Sequence, residues 1–477
     1  MNAVFGVRWN DNLKRVPLAL MAVALLATSL LSQPGATDAL SARAGEFISV
    51  IVREQSGAGS EPENLIESYG GTVEQELDII NGYAARVPQA ALSRLEATPG
   101  VHSVTPNGRV HVLNHELGYD SKNDVGSPTN VQEVTGAREF WRRGYTGQGV
   151  DVAVIDTGVA PVTGLDDSGK VLDGPDLSFE SQSDELRYLD SYGHGTHMAG
   201  IIAGKDTGAN IPGGRDGDTS HYIGIAPDAR IVNVKVAEAS GATDVSQVIA
   251  AIDWVVQNRN RNGLNIRVLN LSFGTDGVQS YIVDPLAYAA EVAWHKGIVV
   301  VVAAGNDGYG SRKLNNPAYN PYVIAVGGNA TNGTIDTKDD TIPEWSSTGD
   351  ATRNPDIVAP GKSVISYRVP NSYIDQNYPE GLVGTRFFRG SGTSQAAAVV
   401  SGAAALIVSQ RPSITPDQVK GLMIASAAKL PVADATAQGN GELNLKTARD
   451  MPTPLYAQVW PRSTGTGSLE LARGTSH

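Results

Sequence analysis

Four polar residues in glycine-framed segments carry the chemistry this sequence can support. Asp156 follows Ala153-Val154-Ile155 and precedes Thr157-Gly158, so a carboxylate stands at the tip of an apolar run, where it can be held rigid and partly desolvated. His194 lies in Gly193-His194-Gly195-Thr196-His197-Met198-Ala199-Gly200, where glycines allow close approach and small residues suit a tightly packed helix. Asn306 ends Ala303-Ala304-Gly305-Asn306 and offers an amide donor to an oxygen that gains charge. Ser394 stands where Gly390-Ser391-Gly392-Thr393 runs into Gln395-Ala396-Ala397-Ala398, a helix N-terminus whose outward N–H groups favour a developing oxyanion.

Each residue alone has a plainer structural reading. Asp-x-Gly after a strand is a common turn or cap, Gly-Asn a common turn, and a serine or histidine at a helix start an ordinary cap. Together they supply a base-orienter, a base, an oxyanion donor and a nucleophile in that chain order, the set needed for acyl transfer through a serine. Rival chemistries fit less well. His194 and His197 stand three apart, but the glutamate of a His-Glu-x-x-His pair is missing and no third ligand lies nearby, so no metal is expected at the reacting centre. Ala396 replaces the last glycine of a Gly-x-Ser-x-Gly elbow, which disfavours an α/β-hydrolase. The 477 residues include no cysteine, which removes a thiol nucleophile, a thiolate metal site and any disulfide framework. With Asp+Glu 50 against Lys+Arg 37 the chain carries −13, so neither nucleic acid nor an anionic membrane is an expected partner.

The elements that must position these residues alternate between strand and helix. Runs at 150–155, 231–236, 268–271 and 298–303 read as short buried strands, with an amphipathic helix over 245–257 and a helical stretch over 285–295 between them. That alternation predicts an α/β domain over 131–450, built on a mostly parallel sheet covered on both faces, with its site at the strand carboxyl ends. Ahead of it, residues 45–114 follow β-α-β-β-α-β order and describe a small ferredoxin-like α+β unit. Residues 115–130 are polar, with Gly118, Gly126 and Pro128, and read as an exposed linker where a protease could cut. Residues 451–477 lose periodicity, carry Pro452, Pro454 and Pro461, and read as an extended tail. At the start, Arg8, Lys14 and Arg15 precede a mostly apolar run over 16–31 and then small residues, which is signal-peptide anatomy for residues 1–44 and predicts secretion. No later stretch reaches about 18 apolar residues, so no membrane partner is expected once the leader is cut.

The blocks Val154-Ile155-Asp156-Thr157-Gly158, His194-Gly195-Thr196-His197-Met198-Ala199-Gly200, Ala303-Ala304-Gly305-Asn306 and Gly392-Thr393-Ser394-Gln395-Ala396 resemble the subtilisin-like serine peptidases, and the chain order Asp, His, Ser is theirs. Met198 stands where valine is usual and Gln395 where methionine or alanine is usual. Residues 45–114 resemble the inhibitor-like propeptide of the same peptidases, notably in Ile80-Asn81-Gly82-Tyr83-Ala84-Ala85-Arg86-Val87. The resemblance implies a three-layer subtilisin-like domain in a secreted serine endopeptidase, made as a self-processing precursor whose propeptide is its intramolecular inhibitor. It further implies that peptide and protein substrates lie between Gly241-Ala242-Thr243 and Ser272-Phe273-Gly274, with Ala303, Ala304 and Gly305 walling a primary pocket and Asn315 near its floor. Catalysis then needs no cofactor. Structural calcium is common in such peptidases, and the loop 205–219 carries Asp206, Asn210, Asp216 and Asp218, which could supply hard oxygen ligands, a solvated acidic loop being the plainer reading.

Overall fold

Apolar runs rich in β-branched residues fold as strands throughout the computed structural model, which describes residues 47–107, 121, 123–211, 218–431 and 433–475. The leader and residues 115–120 lie outside the described residues. The chain divides into two units at Val112 and Leu113.

The first unit runs β1 (Phe47–Glu54), α1 (Glu61–Ser68), β2 (Thr72–Leu77), β3 (Gly82–Pro88), α2 (Leu92–Glu96) and β4 (Val101–Pro106). Its strands pair antiparallel in the order β2-β3-β1-β4, the ferredoxin-like arrangement expected from the element order. Alternation along β1 turns Val50 and Val52 inward, onto Ile66 of α1, Leu95 of α2 and Ala85 and Val87 of β3.

In the second unit the chain forms α3 (Pro128–Thr135), β5 (Asp151–Asp156), β6 (Val171–Asp176), α4 (His194–Ala203), β7 (Arg230–Lys235), α5 (Val245–Asn258), β8 (Ile266–Leu271), α6 (Pro285–His295), β9 (Val299–Ala303), β10 (Ile324–Asn329), β11 (Ile357–Pro360), β12 (Val364–Tyr367), β13 (Leu382–Val383), β14 (Phe387–Gly390), α7 (Thr393–Gln410) and α8 (Leu469–Arg473), besides other helices. Strands β5 to β11 make one parallel sheet in the order β11-β10-β9-β8-β5-β7-β6, and β12-β14-β13 make a small antiparallel one. Apart from the edge strand β6, the parallel strands are almost wholly buried, which is why they read as runs dominated by valine, isoleucine, leucine and alanine. Strand order reverses at β5: β7 and β6 lie to one side and β8 and β9 to the other. A crevice at the carboxyl end of β5 follows from that reversal.

Helix α7 is apolar all round because it is buried all round, and its small residues let neighbours come close: a Cβ on Gly402 would stand 2.6 Å from Cβ of Ile225. The chain is thus a three-layer α/β domain preceded by a small α+β domain.

Two stretches depart from the sequence reading. The linker expected to be exposed over 115–130 is instead fixed from Asp124 onward. Arg389 makes a bidentate pair with Asp124 at 2.6 and 2.9 Å, and Gly126 packs so tightly on the Ser363 carbonyl that a Cβ would lie 1.6 Å from it. Ser127 then caps α3 by accepting from the Asn130 N–H. The tail over 451–477 is extended through 452–468 but lies bound along the domain and ends in α8, with Ala472 fully buried.

Candidate active site

Asp156 is the last residue of β5 and 5% exposed. Its Oδ1 accepts from the Thr157 N–H at 2.8 Å and faces Nδ1 of His194 at 2.8 Å. A carboxylate can only accept, so Nδ1 carries the proton and Nε2 keeps its lone pair. His194 opens α4, directly behind Gly193, whose φ of 105° is left-handed. Strand end and helix start meet so closely here that a Cβ on Gly195 would lie 2.2 Å from the Gly158 carbonyl oxygen and 3.2 Å from Cβ of Asp156. Glycine at 195 is therefore a condition of the Asp156–His194 contact.

Sequence reasoning passed over Asp190, which is buried beneath this turn. It accepts from the Gly193 N–H at 2.6 Å, the Thr196 N–H at 2.7 Å and the Thr157 hydroxyl at 2.7 Å, so it caps α4 and ties it to β5. A carboxylate six residues ahead of Thr196 at a helix start is the signal that could have found it. Burial pulls the His194 pKa down, but the charge and hydrogen bond of Asp156 and the charge of Asp190 outweigh it and leave the imidazole above its ordinary 6.5. His197, by contrast, turns Nε2 to the Phe388 carbonyl at 3.1 Å, and burial with the neighbouring His194 lowers its pKa to about 4. The two histidines serve different partners.

Also missed was the brace behind the loop that leads to His194. Lys235, fully buried at the end of β7, donates to Glu180 at 2.5 Å and to the carbonyls of Leu186 and Leu189 at 3.1 and 2.6 Å. Glu180 also accepts from the Ser191 hydroxyl at 2.6 Å. Nothing in the residue spacing marks this pair, because its partners come from separate elements.

Ser394 is the second residue of α7, and its hydroxyl donates to the Ser272 carbonyl at 2.8 Å. Asn306 follows β9 and its Oδ1 accepts from the Thr393 N–H at 2.9 Å and the Thr393 hydroxyl at 3.1 Å. That fixes the amide and leaves Nδ2 free of any partner among the described residues, on an exposed side chain. His194, Asn306 and Ser394 line one cavity of about 530 Å³, while Asp156 stands behind His194. Tyr378 and Glu380, from the segment between β12 and β13, also face this cavity.

The remaining predicted positions follow the carboxyl ends of β7, β8 and β9. Gly241 lies against the Tyr192 ring, and Thr243 donates to the Val236 carbonyl at 2.8 Å, so the loop containing Gly241, Ala242 and Thr243 is pinned to its strand. Ser272, Phe273 and Gly274 leave β8, and Ala303, Ala304 and Gly305 leave β9. Asn315 lies between the last members of these two segments: Cβ atoms on Gly274 and Gly305 would fall 2.8 Å from its Cβ and 2.2 Å from its Oδ1. Asn315 also donates its N–H to the Ala304 carbonyl at 2.9 Å.

In the loop 205–219 the described carboxylates are held by protein donors. Asp206 accepts from Arg386 at 2.7 and 3.1 Å and from the Tyr222 N–H at 3.0 Å. Asp218 accepts from the Asn210 N–H and from Ser220, and pairs with His221 at 2.6 Å. The described carboxylates there are committed to protein donors, and Asp216 lies outside the described residues.

Comparison with known proteins agrees with this geometry. The profile of the Subtilase family matches residues 147–445, and that of a putative peptidase inhibitor domain matches residues 30–107. The chain is 37% identical over 324 residues to serine protease AprX of Bacillus subtilis (66% of this chain, 70% of the relative). It is 34% identical over 309 residues to subtilisin DY of Bacillus licheniformis (64% and 93%). To the minor extracellular protease Epr of Bacillus subtilis it is 28% identical over 404 residues (83% and 54%). Since the family profile spans more than half of the chain, and its matched region holds Asp156, His194, Asn306 and Ser394 at the carboxyl edge of one parallel sheet, this serine peptidase belongs to the subtilase family.

Proposed function

We propose that the protein is a secreted serine endopeptidase that processes its own precursor. What carries the reading is the 2.8 Å contact between Asp156 and His194 beside a cavity that His194, Asn306 and Ser394 line together. Ser394 Oγ turns from the Ser272 carbonyl, gives its proton to His194 Nε2 and attacks the scissile carbonyl carbon. Asp156 holds the imidazole tautomer and stabilises the imidazolium. The Asn306 Nδ2–H and the Ser394 N–H at the α7 terminus stabilise the oxyanion. Collapse expels the amine, which takes the proton from His194, and water then hydrolyses the acyl-enzyme by the same route.

An extended peptide lies between the segments 241–243 and 272–274, read mainly through its backbone, and its primary side chain enters the pocket bounded by Ala303, Ala304, Gly305 and Asn315. No cofactor enters these steps. The N-terminal unit acts as the intramolecular inhibitor until it is cut away, on the N-terminal side of Asp124, since the chain from Asp124 onward is built into the domain. Secretion is supported by the basic and apolar leader, which lies outside the described residues, and by the likeness to the minor extracellular protease Epr. No helix among the described residues is long and apolar enough to cross a membrane.

The test is Ser394→Ala, made beside the wild type in a cell-free system without other proteases. The wild type should yield a mature chain beginning ahead of Asp124, while the variant keeps residues 45–114 attached and fails to react with a serine-directed phosphonate. Processing of the purified variant at the same bond and a similar rate would remove Ser394 from the role of nucleophile.

A further inference from the structure

The C-terminal segment crosses the second unit as a strap and reaches the loops that carry Gly274 and Asn315. It begins after the short helix Leu445–Asp450 and runs without regular structure through 452–468. Polar contacts hold it at intervals. Gln458 donates its N–H to Asp417 at 3.0 Å, Tyr322 donates to the Trp460 carbonyl at 2.6 Å, and the Ser463 hydroxyl donates to buried Glu291 at 2.7 Å. Further on, the N–H groups of Thr464 and Gly467 donate to the carbonyls of Ile282 and Val283, both at 2.6 Å.

The last contact matters most. In α8 the Ala472 carbonyl accepts from the Thr275 hydroxyl and from Nδ2 of Asn316, the latter at 3.1 Å. Thr275 and Asn316 also exchange two backbone hydrogen bonds, at 3.0 and 2.8 Å. Thr275 adjoins Gly274, the last residue of the substrate segment 272–274, and Asn316 adjoins Asn315 on the pocket floor. One carbonyl from the chain's end therefore clamps two loops that leave different strands, β8 and β9, in a protein with no disulfide to do so. Gly277 seats the strap, since a Cβ there would meet the Ala472 carbonyl oxygen at 2.8 Å.

We infer that the strap is a specificity element which fixes the substrate segment 272–274 against the floor of the primary pocket. The inference rests on the reading of Gly274 as a substrate-binding residue and of Asn315 as the pocket floor. A pocket that can widen loses discrimination between side chains of different size, because an apolar pocket separates substrates only by how closely it fits them. Substrate binding and selectivity should then suffer more than the chemical step, since His194, Asn306 and Ser394 are held by other contacts.

The experiment compares the full chain with a chain ending at Ser468 and with Thr275→Val, which removes one clamp donor while keeping its shape. Peptides differing only in the residue before the cut, as alanine, leucine or phenylalanine, give kcat and KM for each. Exchange of the Thr275 and Asn316 amide hydrogens reports the clamp without reference to activity. For both variants we expect KM to rise about fivefold or more, the phenylalanine-to-alanine ratio of kcat/KM to change by a similar factor, and kcat to fall by less. Both amides should exchange faster. If the truncated chain yields no titratable serine, the threonine variant decides. Unchanged exchange overturns the clamp, and faster exchange with an unaltered side-chain ratio overturns its role in specificity. A full-length mature chain that cleaves no peptide and binds no phosphonate fails the peptidase reading instead, whatever the exchange data show.

Discussion

Replacing Asn306 separates its two jobs, because its two side-chain atoms face different ways. Oδ1 accepts from the Thr393 N–H at 2.9 Å and hydroxyl at 3.1 Å, while Nδ2 has no partner among the described residues and stands at the cleft. Held in this way, the donor needs no reorganisation when charge appears on the scissile oxygen. In Asn306→Ala the donor is gone, and kcat should fall by about 10²–10³ with KM little changed, a range known from loss of one such donor in a related peptidase. The same change strips two donors of their acceptor, one of them a first-turn N–H of α7 beside Ser394, and an orphaned buried donor costs about 1–3 kcal/mol. The alanine variant should therefore also melt several degrees lower. Asn306→Asp keeps an acceptor for Thr393 but puts an anionic oxygen where the donor was, so kcat should fall at least as far while Tm stays nearer the wild type. Steady-state kinetics on a chromogenic peptide amide, normalised by active-site titration, and thermal melts of all three proteins give the comparison. An alanine variant with kcat within tenfold of wild type would reduce Asn306 to a turn residue, and an active aspartate variant would refute the donor argument outright.

The base must be neutral to act, and its pKa lies above the ordinary 6.5, so kcat/KM should fall as pH drops through a midpoint above 6.5, higher than an unperturbed histidine would give. Asp190→Asn removes one of the charges that raise that pKa: the acid limb should move to lower pH, with kcat reduced because the Gly193 and Thr196 N–H groups lose a charged acceptor. A limb that stays in place, read from kcat/KM against pH, would deny Asp190 any electrostatic role. Glu442 is buried beside Asp340, and burial together with that neighbour holds its pKa well above the usual carboxylate range. A raised carboxyl contributes fully below its unfolded pKa of about 4.5 and loses that stability as pH rises. The melting temperature of Glu442→Gln should thus gain on the wild type between pH 5 and 8, at about 2–4 °C for each kcal/mol of relief. Parallel Tm curves would mean the pair is not strained at neutral pH.

What could be read from the sequence depended on how local the cause was. Strands β5, β7, β8 and β9 were legible because a buried parallel strand is mostly apolar, and the carboxyl ends of β5 and β9 led to Asp156 and Asn306 without any three-dimensional information. His194 and Ser394 were legible because the glycines that admit them, Gly195 and Gly392, stand within two residues of them in the chain. The Lys235–Glu180 pair was not, since its role arises from contacts with Ser191, Leu186 and Leu189 that no spacing rule connects, and Asp190, marked only by its place ahead of a helix start, was passed over. The misreadings at Asp124 and Ala472 have one physical origin. Both lie in stretches without periodicity, and periodicity reports only regular structure with one face buried, whereas these segments are fixed by polar contacts to residues far along the chain: Asp124 to Arg389, and the Ala472 carbonyl to Thr275 and Asn316. An irregular segment can therefore be fixed as firmly as a strand is, provided that its carbonyls meet donors, and here those donors are the Thr275 hydroxyl and the Asn316 amide.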